Sequence, residues 1–141
     1  MNDVESHLQK SDALRVTRDE TKGAIKSHKD LDVWKVSMEL VIELYRITEH
    51  FPKEEKYGLG LQIRRAGVSV CSNIAEGAAR AHSREFAQFL YIALGSISEI
   101  ETQLEIAKRL DYVRLLEPEQ NLLNRIRQML LGLIRKVTHN T

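Results

Sequence analysis

The sequence predicts an all-α fold: an antiparallel up-down-up-down four-helix bundle over residues 30–141, preceded by a flexible polar tail over residues 1–29. Three observations predict it. Apolar residues recur at three- and four-residue spacing in four long stretches, only seven Gly and two Pro interrupt the 141 residues, and the stretches are joined by short turn-like segments. A hydrophobic content of 43% against 29% charged residues is enough for one domain with its own core.

Each element has a local justification. Val4, Leu8, Leu14, Val16 and Ile25 are too scattered to bury a face, so the chain up to Lys29 reads as tail. Ser27 and Asp30 have the form of a capping box ahead of an apolar run, which starts a first helix between Ser27 and Leu31. That helix ends near His50, because Pro52 disfavours helical geometry at Phe51. Pro52 itself suits the first turn of a second helix, with Glu54 and Glu55 at its electropositive end, reaching Gly77 to Arg80. Ser83 is placed to cap a third helix running to about Leu110, and Pro118 opens a fourth running to about Val137.

The first helix carries two apolar stripes. Leu31, Trp34, Met38, Val41, Tyr45 and Thr48 form one; Val33, Leu40, Leu44 and Ile47 form the other. A four-helix bundle has no central position, so the second stripe (Val33, Leu40, Leu44, Ile47) is assigned to a homo-oligomer interface, against the alternative of a wide core face covered by the tail.

The second helix sets polar residues among small ones. Ala66, Gly67, Ser69, Ser72 and Ala75, with Ala93, Gly95, Ser96 and Ser98 on the third helix, predict a close approach of these two helices. Gln62, Arg65, Asn73 and Glu76, with Glu99 and Gln103 opposite, form a candidate polar network between them.

The net charge of +1 hides a sorting by helix. Residues 1–29 hold six Lys/Arg and five acids, leaving 15 of each in the body. From Gln120 onward there are Arg125, Arg127, Arg135 and Lys136 and no acid, while Glu85, Glu99, Glu101 and Glu105 weight the third helix negative. The basic set is a candidate nucleic-acid surface, which Arg114, Lys22, Lys26 and Lys29 would extend; the alternative is that Arg125 and Arg135 pair with acids of helices one and three, leaving no net field.

No catalytic motif is present. Cys71 and His82 are eleven residues apart, roughly 16 Å along a helix, too far for a nucleophile–base pair, and Cys71 reads as a buried structural thiol. Glu76, Glu99 and Glu101 lack the Glu-x-x-His pattern of di-iron bundles, the five histidines are dispersed, and there is no Gly-rich phosphate loop. A non-enzyme without cofactor or metal is the expectation. With a single cysteine, no membrane-length apolar run and no signal-peptide core, a cytoplasmic protein is expected.

Specific stretches add a resemblance. Leu31-Asp32-Val33-Trp34, Phe51-Pro52, Tyr57-Gly58-Leu59, Gln62-Ile63-Arg64-Arg65-Ala66, Ser72-Asn73-Ile74-Ala75-Glu76-Gly77, Glu85-Phe86 and Glu101-Thr102-Gln103-Leu104 resemble the four-helix-bundle family of proteins encoded by intervening sequences in bacterial 23S ribosomal RNA genes. They cover nearly all of helices one to three; helix four matches in general character, and Cys71 stands where another small residue or a proline is expected. The resemblance implies a non-catalytic bundle that assembles into a homopentameric ring. Related bundles are accessory proteins of diversity-generating retroelements, which implies RNA or DNA, or a reverse transcriptase, as partner. A protein-binding scaffold is the rival expectation, and a carboxylate metalloenzyme a remote third.

Overall fold

A computed structural model describes residues 27–139, and the rest of the tail reading lies outside them. Among the described residues there are four α-helices and no strand: α1 (Asp32–Thr48), α2 (Leu59–Ala78), α3 (Ser83–Arg109) and α4 (Glu117–His139), with short 3-10 turns at His28–Asp30 and Lys53–Glu55. They pack as a bundle in which α1 and α3 each lie against both α2 and α4. Leu40, Leu44, Ile63, Val70, Ile74, Leu90, Ile97, Ile100, Leu123, Ile126 and Leu130 fill its fully buried centre.

The boundaries differ from expectation where side chains redirect the backbone. Ser27 does cap, but it caps the 3-10 turn: its Oγ accepts from the Lys29 amide at 3.1 Å, and Ser27 and His28 are already buried. His28 meets the edge of Trp34, ring centroids 5.0 Å apart. The second helix begins at Leu59 rather than at Pro52, because Lys53–Glu55 closes as a separate turn and Gly58 breaks the helical path with φ −107° and ψ −117°. Glu55 then folds over the start of α2: its carboxylate accepts from the Leu59 amide at 3.0 Å and from the Tyr112 hydroxyl at 2.9 Å. These bonds hold the Glu55 carboxyl below its usual range, the Leu59 amide contributing most. Ser83 is the buried first residue of α3, with His82 in the capping position and no side-chain cap bond.

The end of α3 is a Schellman turn. The Tyr112 amide donates to Ala107 O at 2.9 Å and the Asp111 amide to Lys108 O at 3.0 Å, with Asp111 left-handed at φ 61°. Tyr112 is thereby swung onto Phe51, ring centroids 5.5 Å apart, joining the α3–α4 loop to the α1–α2 loop.

Small residues set the spacing between helices, in part differently from expectation. A Cβ at Gly77 would stand 2.8 Å from Phe89 Cβ and 3.2 Å from the Phe86 carbonyl, so α2 and α3 touch there. A Cβ at Gly67 would stand 2.8 Å from Leu44 Cδ1, so that glycine admits α1 instead. Gly95 does not serve the α2–α3 contact: it faces outward with no atom within 4 Å of its Cβ position.

Glu119 is the one acidic side chain buried among the described residues, in the first turn of α4 with Glu43 of α1 nearby, and one carboxylate oxygen has no partner there. Burial raises its pKa, which disfavours the ionised form. An acid whose folded pKa is raised contributes most below its unfolded pKa, and that contribution is lost as pH rises through the folded value. Glu119→Gln therefore raises the melting temperature at pH 7, and the gain shrinks towards pH 4, which a pair of thermal melts at each pH measures. The two glycines separate in the same way. Gly77→Ala lowers stability by about 1–3 kcal/mol through overpacking against backbone, whereas Gly95→Ala raises it by up to ~1 kcal/mol through helix propensity alone, both read by urea denaturation.

Candidate functional site

The α4 surface follows from its pattern. Pro118, with Glu117 and Glu119 in the first turn, starts the helix, and Leu123, Ile126, Leu130, Ile134 and Val137 turn its apolar line inward. The opposite line is Asn121, Arg125, Gln128, Gly132, Arg135 and Lys136. Arg125, Arg135 and Lys136 are exposed, and none forms an ion pair within the described residues. Lys136 and Gly132 share a shallow depression with Asp32, Leu31, Val33, Met129 and Leu133. Arg127 is a correction. It points towards α3, pairs with Glu101 and donates to Asn124 Oδ1 at 3.4 Å, while Gln120 donates to the other Glu101 oxygen at 3.2 Å. The alternative pairing with acids of helices one and three concerns Arg125 and Arg135, which form no ion pair among the described residues; Arg127 forms one instead.

The α1 stripes exchange roles. Val33, Leu40 and Leu44, expected at a subunit interface, are buried inside the single chain, and Ile47 is half-buried against the core. Val36 and Ser37 complete that inward line, the Ser37 hydroxyl donating to Val33 O at 2.7 Å. With both stripes apolar, periodicity alone left the rotation of the helix undetermined; packing against α2 and α4 decides it. Of the other stripe, Leu31 and Thr48 are buried at its ends and its middle is open. Trp34, Met38 and Val41 form, with Val68, Cys71, Ser72 and Ala75 of α2, a shallow groove of about 300 Å³, flanked by exposed Ile42 and Tyr45. Cys71 lies in its floor, and burial pushes the thiol up to about 11, so it is protonated at neutral pH. A second apolar surface lies on α3, where Tyr91 and Ile92 are exposed beside Gly95.

The polar residues of α2 divide. Gln62, Arg65, Glu76 and Glu99 are exposed and do not form the expected network; Glu76 pairs with Arg80 one turn on, at 2.8 Å. Asn73 is half-buried, donating to Ser69 O at 2.8 Å and Ser69 Oγ at 3.0 Å, and Ser69 Oγ meets Ser96 Oγ of α3 at 3.0 Å. This short Asn73–Ser69–Ser96 chain is what remains of the predicted network. Gln103 is buried, and its amide reaches only Glu99, at 3.4 Å.

Arg64 has a role that sequence reasoning missed. Its Nε donates to Thr48 Oγ1 at 2.7 Å, its Nη2 reaches Tyr45 O at 3.4 Å, and the guanidinium lies 4.6 Å over the Tyr45 ring. Thr48 Oγ1 in turn donates to Leu44 O at 2.7 Å. A cation thus closes the C-terminal end of α1, where the helix dipole favours positive charge. Arg64 also lines a cleft of about 230 Å³ with Thr48, Glu49, Phe51, Lys53, Lys56 and Gly60. The signal in the sequence was an arginine set in an apolar line sixteen residues after a threonine, which names no partner until the turn between them is known.

The carboxylates considered for catalysis are each engaged separately: Glu76 with Arg80, Glu99 with Gln103, Glu101 with Arg127. Among the described residues, no three His, Cys, Asp or Glu side chains gather in a way that could hold a metal ion, and no helix is long and apolar enough to cross a membrane.

These arrangements predict unequal costs. Arg64→Lys lowers stability by about 1–2 kcal/mol, since an ammonium loses the planar stacking and the fork of donors. Asn73→Ala costs about 1 kcal/mol and Glu76→Ala less than about 0.5 kcal/mol. Chemical denaturation of the three variants checks this order.

Comparison with known proteins agrees with the helical architecture. A search of curated proteins finds no match. Among solved structures, a protein of unknown function from the S23 ribosomal protein family of Bacteroides thetaiotaomicron is similar, with a TM-score of 0.67 and 28% identity over 72% of this chain and 97% of that one. The model of the 23S rRNA-intervening sequence protein family matches residues 29–132, which takes in α1 to α3 and most of α4. The chain belongs to the 23S rRNA-intervening sequence protein family.

Proposed function

We propose that this protein is a non-catalytic, self-associating bundle with antiparallel neighbouring helices, and that it binds nucleic acid through the outward face of α4. The observation that carries the binding reading is a pair of uncompensated cations: Arg125 and Arg135 are exposed and form no ion pair among the described residues, while Arg127 is withdrawn to Glu101 and Lys136 shares its depression with Asp32. Contacts of Ser69 with Ser96 at mid-length, and of Glu55 with Tyr112 and Gly77 with Phe89 at opposite ends, support the antiparallel course of α2 and α3.

Self-association uses different surfaces. The groove of α1 and α2 and the Tyr91–Ile92 ridge of α3 are apolar, exposed and unlike each other, so a groove-to-ridge contact would be head-to-tail and would generate a ring when it closes. Five copies is the number the family resemblance implies. Such a contact leaves α4 uncovered in every copy, and repetition turns a modest charge per chain into a collective field. Reverse transcriptase, implied by the same resemblance, would be reached through nucleic acid held on that face.

A protein-binding scaffold without a nucleic-acid role is the second reading, favoured by the groove. Two measurements separate these readings. Light scattering coupled to size exclusion gives a mass several times 16.2 kDa, and Met38→Glu or Val68→Glu lowers it without unfolding the chain, whereas Leu40→Glu would break the core. A monomer at tens of micromolar overturns self-association. In fluorescence titration with labelled RNA and DNA, affinity falls steeply as salt rises, and Arg125→Glu weakens binding regardless of sequence. Absence of binding at low salt leaves the scaffold reading.

A further inference from the structure

Resting on the nucleic-acid reading, we propose that the ligand of the α4 face is double-stranded and is held by its phosphate backbone, with Gly132 as the point of closest approach. Three features of the face select this class.

The first is what the face lacks. Asn121, Arg125, Gln128, Gly132, Arg135 and Lys136 include no aromatic ring, and proteins that hold single strands without sequence preference combine a basic groove with aromatic platforms on which bases stack. The exposed tyrosines among the described residues, Tyr45, Tyr57 and Tyr91, belong to α1, the α1–α2 turn and α3.

The second is how the cations are held. Arg125 and Arg135 stand on one helix ten residues apart, about 15 Å at the helical rise. The helix that carries them is held in place by the buried residues Ile126, Leu130 and Ile134 on its inner side. Charges spaced along a packed helix suit phosphates that keep a regular spacing, as they do along a duplex. The amides of Asn121 and Gln128 add neutral hydrogen-bonding groups in the same row, of the kind that contact phosphate and sugar oxygens.

The third is Gly132. A glycine within a helix costs about 1 kcal/mol relative to Ala. No close packing requires it, because the nearest atom to its Cβ position is Arg135 Nη2, at 3.8 Å. It leaves a notch beside Arg135 and Lys136, with Asp32 at its α1 edge, in which a strand can lie close to the helix backbone.

The test uses the full chain, a fluorescein-labelled 20-base-pair duplex and each of its strands alone, followed by anisotropy between 50 and 200 mM salt. The duplex binds more tightly than either strand, and log affinity falls against log salt with a slope of about −2.7 or steeper, as three or more phosphate contacts require. Arg125→Gln with Arg135→Gln lowers duplex affinity at least tenfold at 50 mM salt with an unchanged thermal melt. Gly132→Gln acts in opposite directions on two readouts, raising the melting temperature and lowering duplex affinity. A merely structural glycine would lower both or leave affinity unmoved, and unmoved affinity overturns the notch. Equal or tighter binding of the single strands overturns the duplex inference while the nucleic-acid reading stands. No binding to either form overturns both.

Discussion

The rest of the structure depends on how closely α2 is approached from two sides. Gly67 admits Leu44 of α1, Gly77 admits Phe86 and Phe89 of α3, and Ala66 and Ala78 beside them are small as well. Ile63 and Ile74 supply its large core side chains, and the small residues between and beside them let the neighbouring helices close in. Once α2 lies this close to both neighbours, little room is left for polar groups along its seams. Ser69 and Ser96 meet hydroxyl to hydroxyl, and longer residues such as Glu76 and Arg65 are displaced to the rim.

The same closeness explains why the loops at one end are tied rather than free. With α2 pressed on α1, the short path from Thr48 to Leu59 has to turn sharply, and Arg64 and Glu55 hold the two ends of that turn. Arg64 bonds Thr48 at the end of α1, and Glu55 bonds the first amide of α2. Tyr112 extends the arrangement to the α3–α4 loop through Glu55 and Phe51. The bonds of Arg64 and Glu55 are polar and partly exposed, so each contributes modestly. Their effect is to fix geometry more than to add stability.

Much of the fold was legible in the sequence because helical periodicity and two prolines locate elements without knowledge of partners. What was not legible depended on partners. Leu40 and Met38 are equally good apolar residues on adjacent lines of α1, and only the position of α2 and α4 decides that Leu40 is core and Met38 surface. Pro52 is compatible with a first helical turn, but Glu55 folding back on Leu59 makes a separate turn of those residues. Among the basic residues the helix and its lack of acids were readable. The withdrawal of Arg127 was not, since it requires Glu101 of a different helix to stand within reach.

Glycine shows how local cost points to function. Gly67 and Gly77 lower helix propensity, and the contacts they admit offset that loss inside the chain. Gly95 and Gly132 carry the same intrinsic cost, and no side chain among the described residues stands closer than 3.8 Å to either Cβ position. The two lie on different surfaces: Gly95 beside Tyr91 and Ile92, Gly132 beside Arg135 and Lys136 in a depression that also holds Asp32. The chemistry around each differs accordingly, one apolar and the other charged. The proposed second copy would sit on the first and the proposed phosphate backbone on the second, because close approach to a bare helix backbone is worth its local cost only where something outside the chain comes that close.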